Sequence, residues 1–382
     1  MTELKAGWIR GRAGDLGPWP AIGSLVAIAA VLQSLNSRFL SPENLTNLAL
    51  QLAATGTIAL GVIMVLLLGE IDLSVGSVSG LAAVVMTILH VREGWSALTA
   101  IGVALLAAAA IGVLHGLMHT TLRMPSFVVT LAGLMGWAGL MWFLLGDGGT
   151  INLDFAGFVS GLSDTWLPPW LSWAIVAVLV LGRAGGVLVV RRRRAAAGLP
   201  VDPPWPAAIL LAVQALLLAG AVLALSADRG VPLLLVLFGG LVIGLDAVLR
   251  HTVFGRWLYA VGGDAEAARR AGIPVRRIRV LAFALASVLA ATGGILAASR
   301  LSAVNQASGG SDILLMAIAA AVIGGTSLFG GRGRAYNALL GILVIQSITN
   351  GMLLLSVDTD IRFMVTAAVL VLAVAIDSVA RR

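Results

Sequence analysis

Two carboxylates interrupt a long apolar run. In LLLGEIDLSVGSVSGLAA, residues 66–83, Glu70 and Asp72 stand among leucine, isoleucine and valine. Acids within a membrane pair with cations, carry protons or line the path of a polar solute, whereas acids at a span end simply mark the interface. Both readings are open here. Gly69, Gly76 and Gly80 flank the pair, a pattern expected of a broken or tightly packed helix, and half-helices of this kind line translocation paths. Ser74, Ser77 and Ser79 offer hydroxyls to backbone groups or to a passing solute, and Gly76 with Gly80 permits close helix contact. Two other polar groups share this double reading. Asn305 and Gln306, in SRLSAVNQASGGSD, belong to a solvated loop or touch an extracytoplasmic partner or its cargo. Gln346, Ser347, Thr349 and Asn350 lie within an apolar stretch, where buried amides bond between helices or form a weakly polar path.

Several chemistries are excluded. His115 and His119 are spaced i, i+4, but Gly116, Leu117 and Met118 intervene, so the zinc-protease pattern is absent and an interfacial position near Arg123 accounts for them. The chain has no cysteine, which removes disulfides and thiolate metal sites. A phosphate-cradling loop needs a lysine after its glycines, and the single lysine is Lys5, outside any such loop. GGTSLFGGRG at 324–333 has no lysine, and GSVSG at 76–80 centres on Val78, so no serine-nucleophile elbow is present. No catalytic residue, metal site or bound cofactor is expected, and nothing points to nucleic acid.

The remaining feature with a physical purpose is a polar stretch, residues 250–279, RHTVFGRWLYAVGGDAEAARRAGIPVRRIR, with seven arginines. A helix of about two turns is predicted inside it. Asp264 is a good N-cap, Glu266 sits at the positive end of the helix dipole, and Ala265, Ala267 and Ala268 favour helix. Arg269 and Arg270 form its polar face, Gly272 ends it and Pro274 prevents its resumption. A capped helix of small residues between long apolar segments reads as a knob beneath a membrane domain, gripped by another protein.

The surrounding elements follow from composition. Hydrophobic residues make up 59% of the chain and charged ones 11%, with a mean hydropathy of +1.01; a soluble domain carries roughly 25% charged residues. The fold class is an all-α polytopic membrane protein. With about 20 apolar residues needed per crossing, twelve spans are predicted, near 18–37, 45–68, 73–89, 97–118, 126–145, 166–182, 205–225, 231–249, 278–298, 312–329, 336–355 and 360–378. The working range is about 10–14 helices. With both termini in the cytoplasm, 20 basic residues fall in inner segments, among them Lys5, Arg10, Arg12, the arginines at 191–194 and those of 250–279. Five fall outside: Arg38, Arg92, Arg229, Arg300 and Arg362. That asymmetry obeys the positive-inside rule. RRRRAAAGLPVDPPWP at 191–206 reads as an orientation signal and stiff turn, with lipid headgroups as a secondary partner.

GEIDLSVGSVSG, FGRWLYAVGGDAEAARRAGIPV and AAAVIGGTSLFGGRG, in this order, resemble the membrane permeases of bacterial sugar ABC importers of the ribose, galactose, arabinose and xylose branch. The likeness runs from about residue 40 to the end, and two additional spans flanking the RRRR turn make the chain most similar to the xylose type. The resemblance implies a multi-pass protein of the bacterial inner membrane, without an ATPase site of its own. It implies a homodimer beneath a periplasmic sugar-binding protein and above a cytoplasmic ATPase with two nucleotide-binding modules, which holds the ATP and magnesium. Asp264, Ala265, Glu266, Ala267, Ala268, Arg269, Arg270 and Gly272 then correspond to the coupling helix. Glu70, Asp72, Ser74, Gly76, Ser79, Asn305, Gln306, Gln346 and Asn350 are the candidate path residues. Residues 1–17 are expected to be a cytoplasmic segment and 18–382 one transmembrane domain, with a periplasmic loop at 146–165, a basic cytoplasmic turn at 183–204 and the coupling loop at 250–279. The competing reading is an ion-coupled secondary sugar transporter that uses Glu70 and Asp72 as coupling carboxylates; a membrane enzyme would need a nucleophile, base or metal cluster that the sequence lacks.

Overall fold

The computed structural model describes residues 19–379, Asp202 excepted. Lys5, Arg10, Arg12, Arg381 and Arg382, and the N-terminal segment expected at 1–17, lie outside the described residues. In chain order the helices begin with α1 (Trp19–Leu35), α2 (Pro42–Leu66), α3 (Val75–Thr87, continued by one π turn, Ile88–Arg92), α4 (Ala97–Thr121) and α5 (Ser126–Leu145). Strand β1 (Thr150–Asn152), helix α6 (Phe158–Asp164) and strand β2 (Trp166–Leu167) follow. Next come α7 (Pro169–Ala196), α8 (Trp205–Ser226), β3 (Val231–Pro232), α9 (Leu233–His251), α10 (Val253–Gly263) and α11 (Ala265–Arg270). The chain continues through α12 (Val275–Leu301), β4 (Ala303–Asn305), α13 (Ser311–Ile323), α14 (Tyr336–Leu354) and α15 (Thr359–Val379). Among the described residues nine helices are long and apolar enough to cross a membrane, and two apolar helices, Gly23–Leu35 and Ser311–Ile323, are shorter.

Local chemistry sets the helix ends. Ser41 caps α2 by accepting the Asn44 N–H, with Pro42 in the first helical position where its missing donor does no harm. Ser96 caps α4 in the same way through Thr99. The break expected around Glu70 is present: Gly69 turns the chain at φ +76°, and Asp72 Oδ1 accepts the Ser74 N–H at 2.8 Å to start α3. The tenth predicted span is cut short, because α13 stops at Gly324 and Gly325 adopts φ +97°. The basic turn predicted at 183–204 is smaller than expected. Arginine and alanine sustain helix, so α7 runs through residues 191–194 and yields only at Gly198, φ +66°, just before Pro200. The predicted loop 146–165 is also more ordered than a loop. Its β1 pairs antiparallel with β4, Ile151 opposite Val304, and it holds helix α6; just beyond it, at the start of the predicted span 166–182, β2 pairs with β3.

Helices α2 and α12 form the centre. Helix α12 packs along α2, α3 and α4. Ile58, Leu60, Ile63 and Met64 of α2 and Phe283, Ala286 and Ala290 of α12 are fully buried between them. A second apolar cluster joins α3, α4 and the end of α5 through Val84, Met86, Ala100, Ala104 and Leu145. Helices α7 and α8 pack mainly on each other and touch the body through Leu225 of α8 and Ala49 of α2.

Candidate coupling site and polar path

The predicted knob is present and sharply bounded. Helix α11 has six residues. Asp264 Oδ1 accepts the N–H groups of Glu266 and Ala267, both at 2.9 Å, which satisfies two donors that a helix start leaves free. At the other end, Ile273 N–H donates to Ala268 O and Gly272 N–H to Arg269 O, with Gly272 at φ +81°. These two bonds form the Schellman closure that glycine favours. Ala268 is buried with the body of the protein while Arg269 and Arg270 point outward. Glu266 pairs with Arg269 at 2.7 Å and Arg270 at 3.4 Å. Pairs this exposed are worth little, so the guanidinium groups are available to carboxylates of a partner.

Three sequence motifs meet directly above this knob. A Cβ on Gly262, in α10, would collide with Leu67 O and lie 2.8 Å from Gly331 N. Gly331 N–H donates to Leu67 O at 2.9 Å, and Tyr259 Oη donates to Gly333 O at 2.7 Å. Gly330, at φ +83°, packs on Gly262 O and Gly69 N. The segment before the knob therefore rests by backbone contact on the end of α2 and on the loop that leads into α14. Backbone contacts without intervening side chains transmit displacement with little slack, since packed interiors deform poorly.

Glu70 and Asp72, two residues apart, have different surroundings. Glu70 accepts from Ser126 Oγ at 2.6 Å and lies 3.1 Å from both His119 Nε2 and Arg279 Nη2. His119 Nδ1 lies 2.8 Å from Met124 O, which only accepts, and Nε2 lies 3.1 Å from the Glu70 carboxylate, so both ring nitrogens face acceptors. Burial alone would raise the Glu70 carboxyl; the hydrogen bonds from His119 and Ser126, with the charges of His119 and Arg279, outweigh it and hold the acid below its ordinary value. Asp72 is buried and accepts from the Ser74 hydroxyl at 2.6 Å. Trp137 Nε1, which only donates, reaches His115 Nε2 at 3.0 Å. His115 Nδ1 therefore carries the proton and faces Ser74 Oγ at 3.3 Å, in a directed chain from Trp137 through His115 and Ser74 to Asp72. Sequence reasoning treated His115 and His119 as interfacial. Their i, i+4 spacing on α4 spans about one helical turn, a rise comparable to the reach of two extended residues between the acids, and that was the signal available.

The other candidate path residues separate into groups. Ser79 donates to Gly76 O, and both are buried in helix contacts: a Cβ on Gly76 would meet Gly309 O at 2.9 Å. Asn305 ends β4 and its Oδ1 accepts the Ala307 N–H; Gln306 O accepts from Trp142 Nε1. Gln346 donates to Gln51 Oε1 at 2.7 Å, and Asn44 donates to Asn350 Oδ1 at 2.8 Å. Asn44, Gln51 and Asn350 border a cavity of about 430 Å³ at the end of the molecule opposite the knob. Gln51 was missed because it lies within an otherwise apolar span, and Asn44 because it falls just before the predicted start of that span at residue 45.

A family of transport components, described as the branched-chain amino acid transport system permease component, matches residues 44–374. The chain belongs to this family. The permease is 36% identical to the xylose transport system permease protein XylH of Escherichia coli strain K12, over 94% of this chain and 91% of that one. XylH of Haemophilus influenzae is 34% identical over 93% of this chain and 95% of its own. The ribose import permease protein RbsC of Bacillus subtilis is 32% identical over 99% and 97%. No solved structure matches the permease. Its membership makes it a membrane transport component rather than an enzyme, and both the knob and the paired acids lie within the matched residues.

Proposed function

We propose that this chain is the permease subunit of an ATP-driven importer that carries a monosaccharide, a pentose such as D-xylose, across the bacterial inner membrane. The carrying observation is the end-to-end likeness to xylose permeases, 91% and 95% of whose lengths are covered. Each of the twelve predicted spans overlaps a helix of the fold, and among the described residues nine of those helices are long and apolar enough to cross a membrane; twelve crossings with both termini inside is the topology we propose, on the distribution of basic residues. Two copies work with a cytoplasmic ATPase, which holds ATP and magnesium, and a periplasmic sugar-binding protein. Residues 264–272 dock on that ATPase as the coupling helix. The contacts of Gly262 with Leu67 and Gly331 then pass its displacement to the ends of α2 and α14. Those helices carry Gln51, Gln346 and Asn350, so movement of the knob changes the spacing of the polar path above it.

Reconstitution with the ATPase and binding protein tests this. D-xylose uptake is expected to require ATP, and Ala268→Trp, which drives a bulky group under the knob, is expected to abolish sugar-stimulated ATP hydrolysis without preventing membrane insertion. Uptake that persists without ATP and collapses with a protonophore overturns the proposal in favour of an ion-coupled carrier. Uptake of branched-chain amino acids in place of sugars overturns the cargo.

A further inference from the structure

The cavity bordered by Asn44, Gln51, Asp164, Arg229, Arg300 and Asn350 is not a simple gap between helices. Its volume of about 430 Å³ falls in the range of roughly 300–1,000 Å³ of small-molecule sites. The wall is held rigidly. Asn44 is tied to Asn350 and to Phe39 O, at 2.8 and 2.7 Å, and Gln51 is tied to Gln346. Arg229 is fixed by Asp228 at 3.1 Å and Asn47 at 3.2 Å, and lies over the Trp166 ring at 4.6 Å. Asp164 and Arg300 differ from these: both are exposed at the mouth of the cavity, and among the described residues neither side chain has a hydrogen bond or an ion pair to another protein group, so both are open to a ligand arriving from solvent.

The donor and acceptor inventory selects the ligand class. Amides both give and accept hydrogen bonds, the Asp164 carboxylate only accepts, and the guanidinium of Arg300 only donates. An anion in this cavity would meet Asp164, and a cation would meet two arginines. A neutral polyol meets neither conflict, because each hydroxyl donates to one group and accepts from another; a zwitterionic amino acid would also place its ammonium on Asp164 and its carboxylate on an arginine, and is the competing ligand that the control below separates. We propose that the cavity is a weak monosaccharide subsite of the permease itself, in which sugar hydroxyls bridge Asp164 and Arg300 against the amide wall of Asn44, Gln51 and Asn350. It rests on the reading of the chain as a sugar permease. By the orientation set out above it opens on the outer face, where released sugar arrives. An amide wall shared between α2 and α14, the two helices driven from the knob, gives the subsite a means of losing its grip when those helices shift.

Saturation-transfer NMR on the full-length permease in lipid nanodiscs, without binding protein, tests the site with D-xylose as probe and L-leucine as control. D-xylose is expected to show saturable millimolar binding and L-leucine none. Asp164→Ala and Arg300→Ala remove charged hydrogen-bonding groups and are each expected to weaken the sugar about tenfold. In the complete complex they raise the KM for sugar while leaving the affinity of binding protein for permease unchanged. Absence of saturation transfer from D-xylose, or equal signals from both variants and the parent, overturns the subsite. So does a variant that weakens binding-protein docking but leaves the NMR signal intact, which would make the cavity a socket for that partner. ATP-dependent uptake by the parent complex is measured alongside: uptake without NMR binding sinks the subsite alone, and absence of uptake sinks the sugar-permease reading.

Discussion

Helix α2 and the α7–α8 hairpin look alike by hydropathy and have opposite fates. Their most apolar windows average 2.0 for α2 and 2.2 and 2.6 for the hairpin, yet 89% of the α2 window is buried against 0% and 11% for the other two. Lipid tails are as apolar as leucine, so hydropathy reports membrane insertion and says nothing about what a helix touches. Contact is decided by fit. A Cβ on Gly61 of α2 would lie 2.6 Å from Ala286 O of α12, and one on Gly56 would lie 2.6 Å from the Phe238 ring. Gly182, Gly185 and Gly186 of α7 and Gly220 of α8 have nothing within 4 Å. The same residue type marks a helix seam in one region and a bare surface in the other.

The largest effect should come from filling that seam. Gly61→Leu is expected to prevent recovery of folded, monodisperse permease in detergent, whereas Gly220→Leu leaves yield and thermal midpoint unchanged. Equal damage from both would show that the hairpin is covered by another chain in the membrane. Next in size, Phe238→Ala empties a fully buried site against Gly56 and should destabilise by about 3–5 kcal/mol. Leu216→Ala in α8, where the side chain is 73% exposed, should change stability by less than about 0.5 kcal/mol. Thermal unfolding of the two variants sharpens the contrast.

Removing the charge of Glu70 tests the junction below α2. Glu70→Gln leaves His119 and Arg279 without their counter-charge and is expected to cost about 3 kcal/mol. The pH dependence has a definite sign. The folded-state pKa is below the ordinary 4.5, so the contribution is complete above that value and is lost as pH falls through the lowered one. Glu70→Gln should therefore flatten the acid limb of a stability–pH curve, and an unchanged limb would refute the ion pair. A smaller loss than that of Phe238→Ala or Glu70→Gln belongs to the knob, where Asp264→Ala removes a cap worth about 1 kcal/mol. It should barely move the thermal midpoint but reduce sugar-stimulated ATP hydrolysis in the reconstituted complex.

Span positions were legible because a hydrocarbon layer demands long apolar runs whatever they pack against. The capped knob was legible because capping depends on neighbours within a few residues: Asp264, Gly272 and Pro274 act where they stand. The reach of α7 past the arginines at 191–194 was misjudged because charge was read as a stop, although arginine is a good helix former. Glu70 and Asp72 were legible as residues with a purpose, but the imidazoles they reach, His119 directly and His115 through Ser74, lie on α4, more than 40 residues away.

The sequence by itself determined what obeys short-range physics: helix existence, helix caps and the break after α2. Only the tertiary structure decided which apolar helix is central and which faces outward, which imidazole meets a carboxylate and which an indole, and that Asn44, Asp164, Arg229, Arg300 and Asn350 border one cavity. Those outcomes depend on backbone approaches and hydrogen bonds between segments as far apart as Asn44 and Asn350. Such contacts follow from how surfaces interlock, and interlocking leaves no periodic trace along the chain.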